Sequence, residues 1–194
     1  MPMRVCGMDE VGRGSLAGPL TAAAVIINHQ ETRNKLKDSK QLNSTQRNRL
    51  YKMIVKRAER IEIEVISARQ INNRGMGWAN KQIFKKLIRR IEADKYIVDG
   101  NLKISVQRLA SSVQSVIKAD TKIPEVMAAS IVAKVVRDQH MKKLHDEYVM
   151  YGWKSNKGYG TKYHINAIRE HGMSRYHRSV FVTTALKERL VTSV

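Results

Sequence analysis

Met3-Arg4-Val5-Cys6-Gly7-Met8 runs directly into Asp9-Glu10-Val11-Gly12-Arg13-Gly14. A short apolar stretch stopped by two acids and two glycines predicts a strand followed by a tight turn. The next apolar block, Thr21 to Ile27, is rich in alanine and β-branched residues and almost uninterrupted. That is the pattern of a strand buried on both faces.

Outward from this pair, Glu31 to Asn48 is polar and reads as a loop, with a helix starting at Thr45 or Gln46 and running to about Arg60 on Leu50, Ile54 and Ala58. The period then changes: Ile61, Ile63 and Val65 alternate with Glu62 and Glu64, a strand pattern. Gly75 and Gly77 precede a helix from about Trp78 to Glu92, striped by Ile83, Leu87 and Ile91. Lys95 to Asp99 and Val113 to Ile117 read as strands. Pro124, suited to a first helical turn, opens a long helix to about Tyr148. After the glycine-bearing segment Gly152 to Gly160 come a helix from Lys162 to Glu170 and another near Thr183. Strands first, then helices and strands in alternation, predict a mixed α/β sheet flanked by helices, with a helical C-terminal portion from about residue 124. The 194 residues fit one domain spanning 1–194, and we expect a monomer.

Thirty-six Lys and Arg against 17 Asp and Glu leave a net charge of +19, a field that selects polyanions. Ten basic residues lie between Arg33 and Arg60 against only Asp38 and Glu59, and five lie between Lys81 and Arg90 with no acid. Each run alone is what a solvated helix face carries. Together, on so basic a chain, they point to a nucleic-acid surface. No apolar stretch is long enough to span a bilayer and no signal-peptide core follows Met1, so a cytoplasmic protein without membrane contact is expected. A single cysteine, Cys6, excludes an internal disulfide.

Acids are scarce, so their positions carry information. Asp9 with Glu10, Asp99 and Asp120 each fall where a predicted strand ends, the edge at which α/β sheets place ligand sites. If these strands are neighbours, four carboxylates share one crevice and need a cation. Oxygen ligands without a His or Cys cluster favour Mg²⁺ or Mn²⁺, and two such ions suit in-line phosphoryl displacement. Successive strand residues face opposite ways, so Asp9 and Glu10 reach one ion pair only if the strand bends or ends there. Otherwise Glu10 ligates through water or its backbone carbonyl.

These residues resemble the type 2 ribonucleases H, ribonuclease HII. The resemblance rests on Gly7-Met8-Asp9-Glu10-Val11-Gly12-Arg13-Gly14 with Leu16-Ala17-Gly18-Pro19, then Asp38-Ser39-Lys40, Val98-Asp99-Gly100, Asp120-Thr121-Lys122, Ala128 through Val135, Arg137-Asp138, and Gly158-Tyr159-Gly160-Thr161 with His164. It implies a ribonuclease H-like fold and a divalent-metal endonuclease. Such an enzyme cuts the RNA strand of RNA/DNA hybrids and nicks duplex DNA 5′ of an embedded ribonucleotide, leaving 3′-hydroxyl and 5′-phosphate. It implies Asp9, Glu10, Asp99 and Asp120 as catalytic metal ligands, and Gly12, Arg13, Gly14, Lys40 and Tyr159 as substrate-binding residues. Type 3 enzymes, by contrast, carry Lys where Arg13 stands and an additional N-terminal domain. Three positions depart from the family pattern. Ser15 replaces a usual Pro, Ala119 a common Gly, and Tyr176-His177-Arg178-Ser179 is a loose form of His-Arg-Arg-Ser. Alanine at 119 would strain a backbone angle that needed glycine.

Asp138, inside the long helix next to Arg137, is expected to form a buried or semi-buried structural ion pair rather than to bind a metal. His164 and His177 are candidates for substrate contact, and the other histidines are expected at the surface. Cys6, Tyr148, Tyr151 and Trp153 are expected in the core. Two rival functions remain open on sequence. A nonenzymatic nucleic-acid-binding protein explains +19 but not acids gathered at strand ends. A resolvase or type 1 nuclease leaves Arg13 and Tyr159 without a task. No clear sliding-clamp peptide is visible in the C-terminal tail.

Overall fold

The computed structural model describes residues 3–28, 30–37, 42–105 and 112–191. Five strands, β1 (Val5–Val11), β2 (Leu20–Ile26), β3 (Arg60–Ile66), β4 (Lys95–Asp99) and β5 (Ser112–Val116), form one sheet in the order β3-β2-β1-β4-β5. β1 pairs antiparallel with β2 and parallel with β4, and β4 pairs parallel with β5, so the sheet is mixed. The helices are α1 (Gln30–Lys37), α2 (Ser44–Arg57), α3 (Ala68–Arg74), α4 (Met76–Ile88), α5 (Pro124–Glu147), α6 (Trp153–Asn156), α7 (Lys162–His171) and α8 (Ser179–Val191). The expected α/β class with a helical C-terminal portion is what the chain adopts.

The chain divides into two compact units. One comprises the described parts of Met1–Val11, Thr21–Val65 and Lys81–Val135. In it every residue of β2 is buried, as its alanine and β-branched content requires. Gly7 of β1 lets the first turn of α5 approach closely: a Cβ there would stand 2.1 Å from the Glu125 carbonyl carbon. Buried Glu125 is paired with Arg33 of α1 at 3.1 Å. The Cys6 thiol is buried, which pushes its pKa up to about 12.

Three local expectations are corrected here. The polar stretch from residue 31 contains α1, held by an Arg57–Glu31–Lys35 ion-pair chain and by burial of Thr32 and Leu36. α2 begins a residue earlier than expected, because Asn43 and Gln46 close a reciprocal capping box. In β3 the alternation inverts at its end. Glu64 is buried and Val65 exposed, since Lys86 and Arg90 each meet the Glu64 carboxylate at 2.7 Å.

The other unit comprises Gly12–Leu20, Ile66–Asn80 and the described part of Val136–Val194. It contains α3, which hydropathy patterning missed and which the Ser67–Gln70 capping box announces. Its core joins Leu16, Met141, Leu144, Tyr151, Trp153, Ile165 and Val182. Tyr151 and Trp153 stack at 5.1 Å between centroids, as expected of core aromatics.

His164 and His177 are corrected from candidate substrate contacts to core residues, at 0% and 2% exposure. Trp153 Nε1–H donates to His164 Nε2, which also lies 3.1 Å from His177 Nε2. His164 Nδ1 faces the Tyr159 carbonyl, and His177 Nδ1 accepts the Ser174 N–H. With both rings neutral, one tautomer set fits these contacts, the single Nε2 lone pair of His164 being shared by the Trp153 N–H and the His177 Nε2–H. Burial, and then the neighbouring His164, holds the His177 pKa down to about 4. Its folded pKa lies below the ordinary 6.5, so its contribution to stability is complete above pH 6.5 and is lost as pH falls toward 4. The expected loss is about 3 kcal/mol at most. The loss should be read as a difference between proteins: in urea melts at pH 7 and pH 4.5, His177→Gln should lose less stability, or gain more, on acidification than the unsubstituted chain.

Candidate functional site

β1 and β4 run parallel with Met8 opposite Val98, so Asp9 and Asp99 are the next residue on each strand. β1 does not end at Asp9. It continues to Val11, with Asp9 opposite Ala23 and Glu10 opposite Ala22. Alternation therefore holds, with Asp9 buried at 8% exposure and Glu10 partly exposed. The two remain linked, because the Glu10 N–H donates to Asp9 Oδ1 at 2.7 Å.

Asp99 ties in the fourth acid. Its Oδ1 accepts the Ala119 N–H at 2.7 Å and the Asp120 N–H at 3.4 Å. Asp120 sits in a single 3₁₀ turn, Ala119–Thr121, after β5. The left-handed residue is Lys118, with φ 56°, rather than Ala119. Alanine at 119 therefore carries none of the strain expected of a replaced glycine, and its methyl is buried beside Ile97 and Val126.

Burial pushes the Asp9 pKa up to about 7, and the charges of Glu10 and Asp99 push the same way. Hydrogen bonds from the Ser130 side chain and the Glu10 N–H oppose them. Asp120 is likewise raised, by burial and then by Asp99. Like charges sharing partly buried space have this signature. Among the described residues, no three His, Cys, Asp or Glu side chains already stand at the mutual spacing of a metal's ligand shell. The fit to a cation is chemical: a set of carboxylate oxygens, among which Asp9 and Asp120 are held back from ionising by burial and neighbouring charge, favours hard divalent ions.

Beside the acids, Glu10 and Asp120 line a cleft of about 330 Å³ together with Arg47, Met127, Ser130, Ile131 and Lys134. Ser130 and Lys134 belong to this site and were given no role by the sequence reading. Their signal was there: between Val126 and Val135 they are the only polar residues, and they are spaced i, i+4 on one face. Arg47 brings the first basic run to the cleft.

The Gly12–Pro19 loop of the other unit surrounds two fully buried guanidiniums, Arg137 and Arg178. Gly12, at φ 95°, leaves no room for a side chain, since a Cβ would stand 2.2 Å from Arg137 Nε. Gly14 has open space around the same position and an ordinary φ, so nothing among the described residues demands glycine there. Arg13 is exposed, while its carbonyl accepts from Arg178 at 2.9 Å. The Tyr159 ring lies 5.3 Å from the Arg137 guanidinium. The Asp138 charge favours the Arg137 cation, and the hydrogen bonds of the guanidinium go to backbone carbonyls and Ser15. Lys40 lies outside the described residues.

The family model for ribonuclease HII matches residues 6–184. The chain belongs to the ribonuclease HII family. A ribonuclease HII from Pelagibacter ubique is 42% identical over 184 residues, covering 91% of this chain and 95% of that protein. Among solved structures, the ribonuclease H2 of Pyrococcus horikoshii superposes with a TM-score of 0.80 at 25% identity, covering 96% of this chain and 98% of that one. The ribonuclease HII of Archaeoglobus fulgidus, solved in complex with PCNA, gives 0.78 at 27% identity, covering 91% and 94%. As a ribonuclease HII family member with the ribonuclease H fold, the chain is a type 2 ribonuclease H, a metal-dependent endonuclease. No helix among the described residues is long and apolar enough to cross a membrane.

Proposed function

We propose that this ribonuclease H hydrolyses the RNA strand of RNA/DNA hybrids and nicks duplex DNA 5′ of an embedded ribonucleotide, as a monomer in the cytoplasm. The observation that carries this reading is the carboxylate set, in which Asp9 is buried beside Glu10 and Asp99 while Asp99 holds the turn bearing Asp120. We assign these four as the ligands of two Mg²⁺ or Mn²⁺ ions, Glu10 through water or its backbone carbonyl because β1 continues past it. When bound, the ions supply Lewis-acid stabilisation of the attacking and leaving oxygens of an in-line displacement. Ser130 orients the Asp9 carboxylate by its hydrogen bond, and Arg47 and Lys134 supply positive charge along the cleft for phosphate oxygens.

Recognition of the ribonucleotide falls to Gly12, Arg13, Gly14 and Tyr159. The 2′-hydroxyl is both donor and acceptor and is open to the minor groove. Backbone groups can reach it only where no side chain intervenes. Gly14, whose Cβ position is empty and whose φ is ordinary, is explained by such an approach better than by any contact within the chain. Arg13 and Lys40 hold phosphates, and the Tyr159 phenol meets the 2′-hydroxyl. Tyr159→Phe should lower activity about tenfold on a single embedded ribonucleotide, the order of one lost hydrogen bond, and much less on a long hybrid. Equal losses on both substrates would remove Tyr159 from this role.

Affinity for duplex should be steeply salt-dependent, with a log–log slope of about −5 for six neutralised phosphates. Arg47→Ala should reduce that slope by about one phosphate's share. Lys86→Ala should leave it unchanged and lower the melting temperature, because Lys86 serves buried Glu64. The assay that tests the function as a whole offers Mg²⁺ or Mn²⁺ with three substrates: a duplex holding one ribonucleotide, a continuous hybrid and a four-way junction. Cleavage of the first two supports the reading. Cleavage of the junction alone, or of none, overturns it.

A further inference from the structure

The substrate-reading role proposed for the Gly12–Gly14 loop and Tyr159 needs the two held at a fixed spacing, and one buried cation touches both. Arg137 has no exposed surface. Its Nε donates to the Pro19 carbonyl at 3.0 Å, and its Nη2 to Ser15 Oγ at 2.8 Å and to the Ala17 carbonyl at 3.2 Å. Ser15, also fully buried, passes the connection on, its hydroxyl donating to the Gly12 carbonyl at 3.0 Å. On the side of Tyr159, Nη1 donates to the Lys157 carbonyl at 3.0 Å and the guanidinium lies 5.3 Å from the tyrosine ring centroid. A buried guanidinium is expensive to desolvate, and an apolar side chain could fill its volume. What an apolar residue cannot do is hold, by a planar fork of donors, two separate backbone segments and one aromatic face.

We propose that Arg137, acting with the Ser15 hydroxyl, is a positioning residue that sets the spacing between the Gly12 carbonyl and the Tyr159 ring, and through it the preference for an isolated ribonucleotide. This rests on the reading of Tyr159 and the loop given above. The two substrates differ in how they tolerate an error in that spacing. A continuous hybrid presents a 2′-hydroxyl at every RNA position, so a loosened reader still finds one. A lone ribonucleotide offers a single hydroxyl in a single register, and small misplacements there are costly to rate.

The test measures kcat and KM for both substrates in Ser15→Ala, Arg137→Lys, Tyr159→Phe and the Ser15→Ala/Tyr159→Phe double variant, with a thermal melt of each. Ser15→Ala should lower kcat/KM on the lone ribonucleotide about tenfold, mostly in kcat, and on the hybrid about twofold. Arg137→Lys, which keeps the charge but not the fork, should move the ratio further in the same direction. The double variant should fall little below Tyr159→Phe, because both changes act through one contact. A purely structural role would lower the melting temperature and both activities alike, and its effects would multiply with that of Tyr159→Phe. That outcome overturns the proposal. If Arg137→Lys fails to fold, Ser15→Ala decides alone. If Tyr159→Phe leaves the substrate ratio unchanged, the underlying reading falls and the proposal with it. If Tyr159→Phe shifts the ratio and Ser15→Ala does not, only the proposal falls.

Discussion

Asp9→Asn and Asp99→Asn are each expected to lower cleavage of hybrid duplex at least about a thousand-fold while duplex affinity is kept or tightened. Each substitution removes an anionic oxygen from a site whose proposed chemistry is electrostatic, and metal-ion stabilisation of the transferring phosphate is worth several kcal/mol, about a factor of ten per 1.4 kcal/mol. Asp99 carries a second burden, since its Oδ1 also accepts the N–H groups of Ala119 and Asp120. In Asp99→Asn the amide retains an acceptor oxygen, so the turn should survive and the melting temperature should change little. Asp120, at the partly exposed end of the set, should leave a trace of activity as Asp120→Asn. Binding is expected to hold or improve because removing negative charge relieves repulsion of the phosphate backbone. Gel-shift affinity and single-turnover cleavage, measured together, separate these effects. Retained cleavage in either Asp9→Asn or Asp99→Asn would overturn the ligand assignment.

A second large effect should appear as coupling between protons and divalent ions. With the Asp9 pKa at about 7, an ion must displace a proton below that pH. The Mg²⁺ concentration that half-saturates cleavage should therefore rise about tenfold per pH unit as pH falls below 7. The metal-free protein should show the complementary behaviour. A carboxyl whose folded pKa lies above its unfolded value of 3.8 contributes stability at low pH that is lost as pH rises through 7. Added Mg²⁺ should thus raise the melting temperature more at pH 8 than at pH 5. In Asp9→Asn the metal-free protein should lose that pH dependence. A half-saturation value flat between pH 5 and 8 would contradict this coupling of proton and ion at Asp9.

Much of this site was legible in the sequence because acids are rare in so basic a chain and Asp99 and Asp120 fall at or just after strand ends, although β1 runs on past Asp9 and Glu10 to Val11. β1, β2, β4, β5 and α5 all follow from uninterrupted or alternating apolar runs and from Pro124 at the start of a helix. Segments that escaped are governed by contacts between distant residues. α1 looked like a loop because it buries only Thr32 and Leu36, with ion pairs supplying much of the rest. The inward turn of Glu64 depends on Lys86 and Arg90, more than twenty residues away. His164 and His177 were candidates for substrate contact because they lie in segments that resemble the family pattern, yet the two rings bond one another inside an aromatic core. Arg137 donates to the carbonyls of Pro19, Ala17 and Lys157, each at least 20 positions away. No spacing rule announces a guanidinium that binds backbone.

The most direct test of the account is the position and chemistry of the cut in a DNA duplex holding one ribonucleotide, with Mg²⁺ or Mn²⁺ present. Each product is sized against a single-nucleotide ladder and its ends tested for extension by polymerase and for removal of a terminal phosphate. The account predicts a single nick 5′ of the ribonucleotide, a 3′-hydroxyl that primes synthesis and a 5′-phosphate on the fragment that begins with the ribonucleotide. In that outcome water attacks and the 2′-hydroxyl is only read. A cut on the 3′ side ending in a 2′,3′-cyclic phosphate would mean that the 2′-hydroxyl itself attacks, and would contradict the assignment of Asp9, Glu10, Asp99 and Asp120 as ligands for ions that activate water.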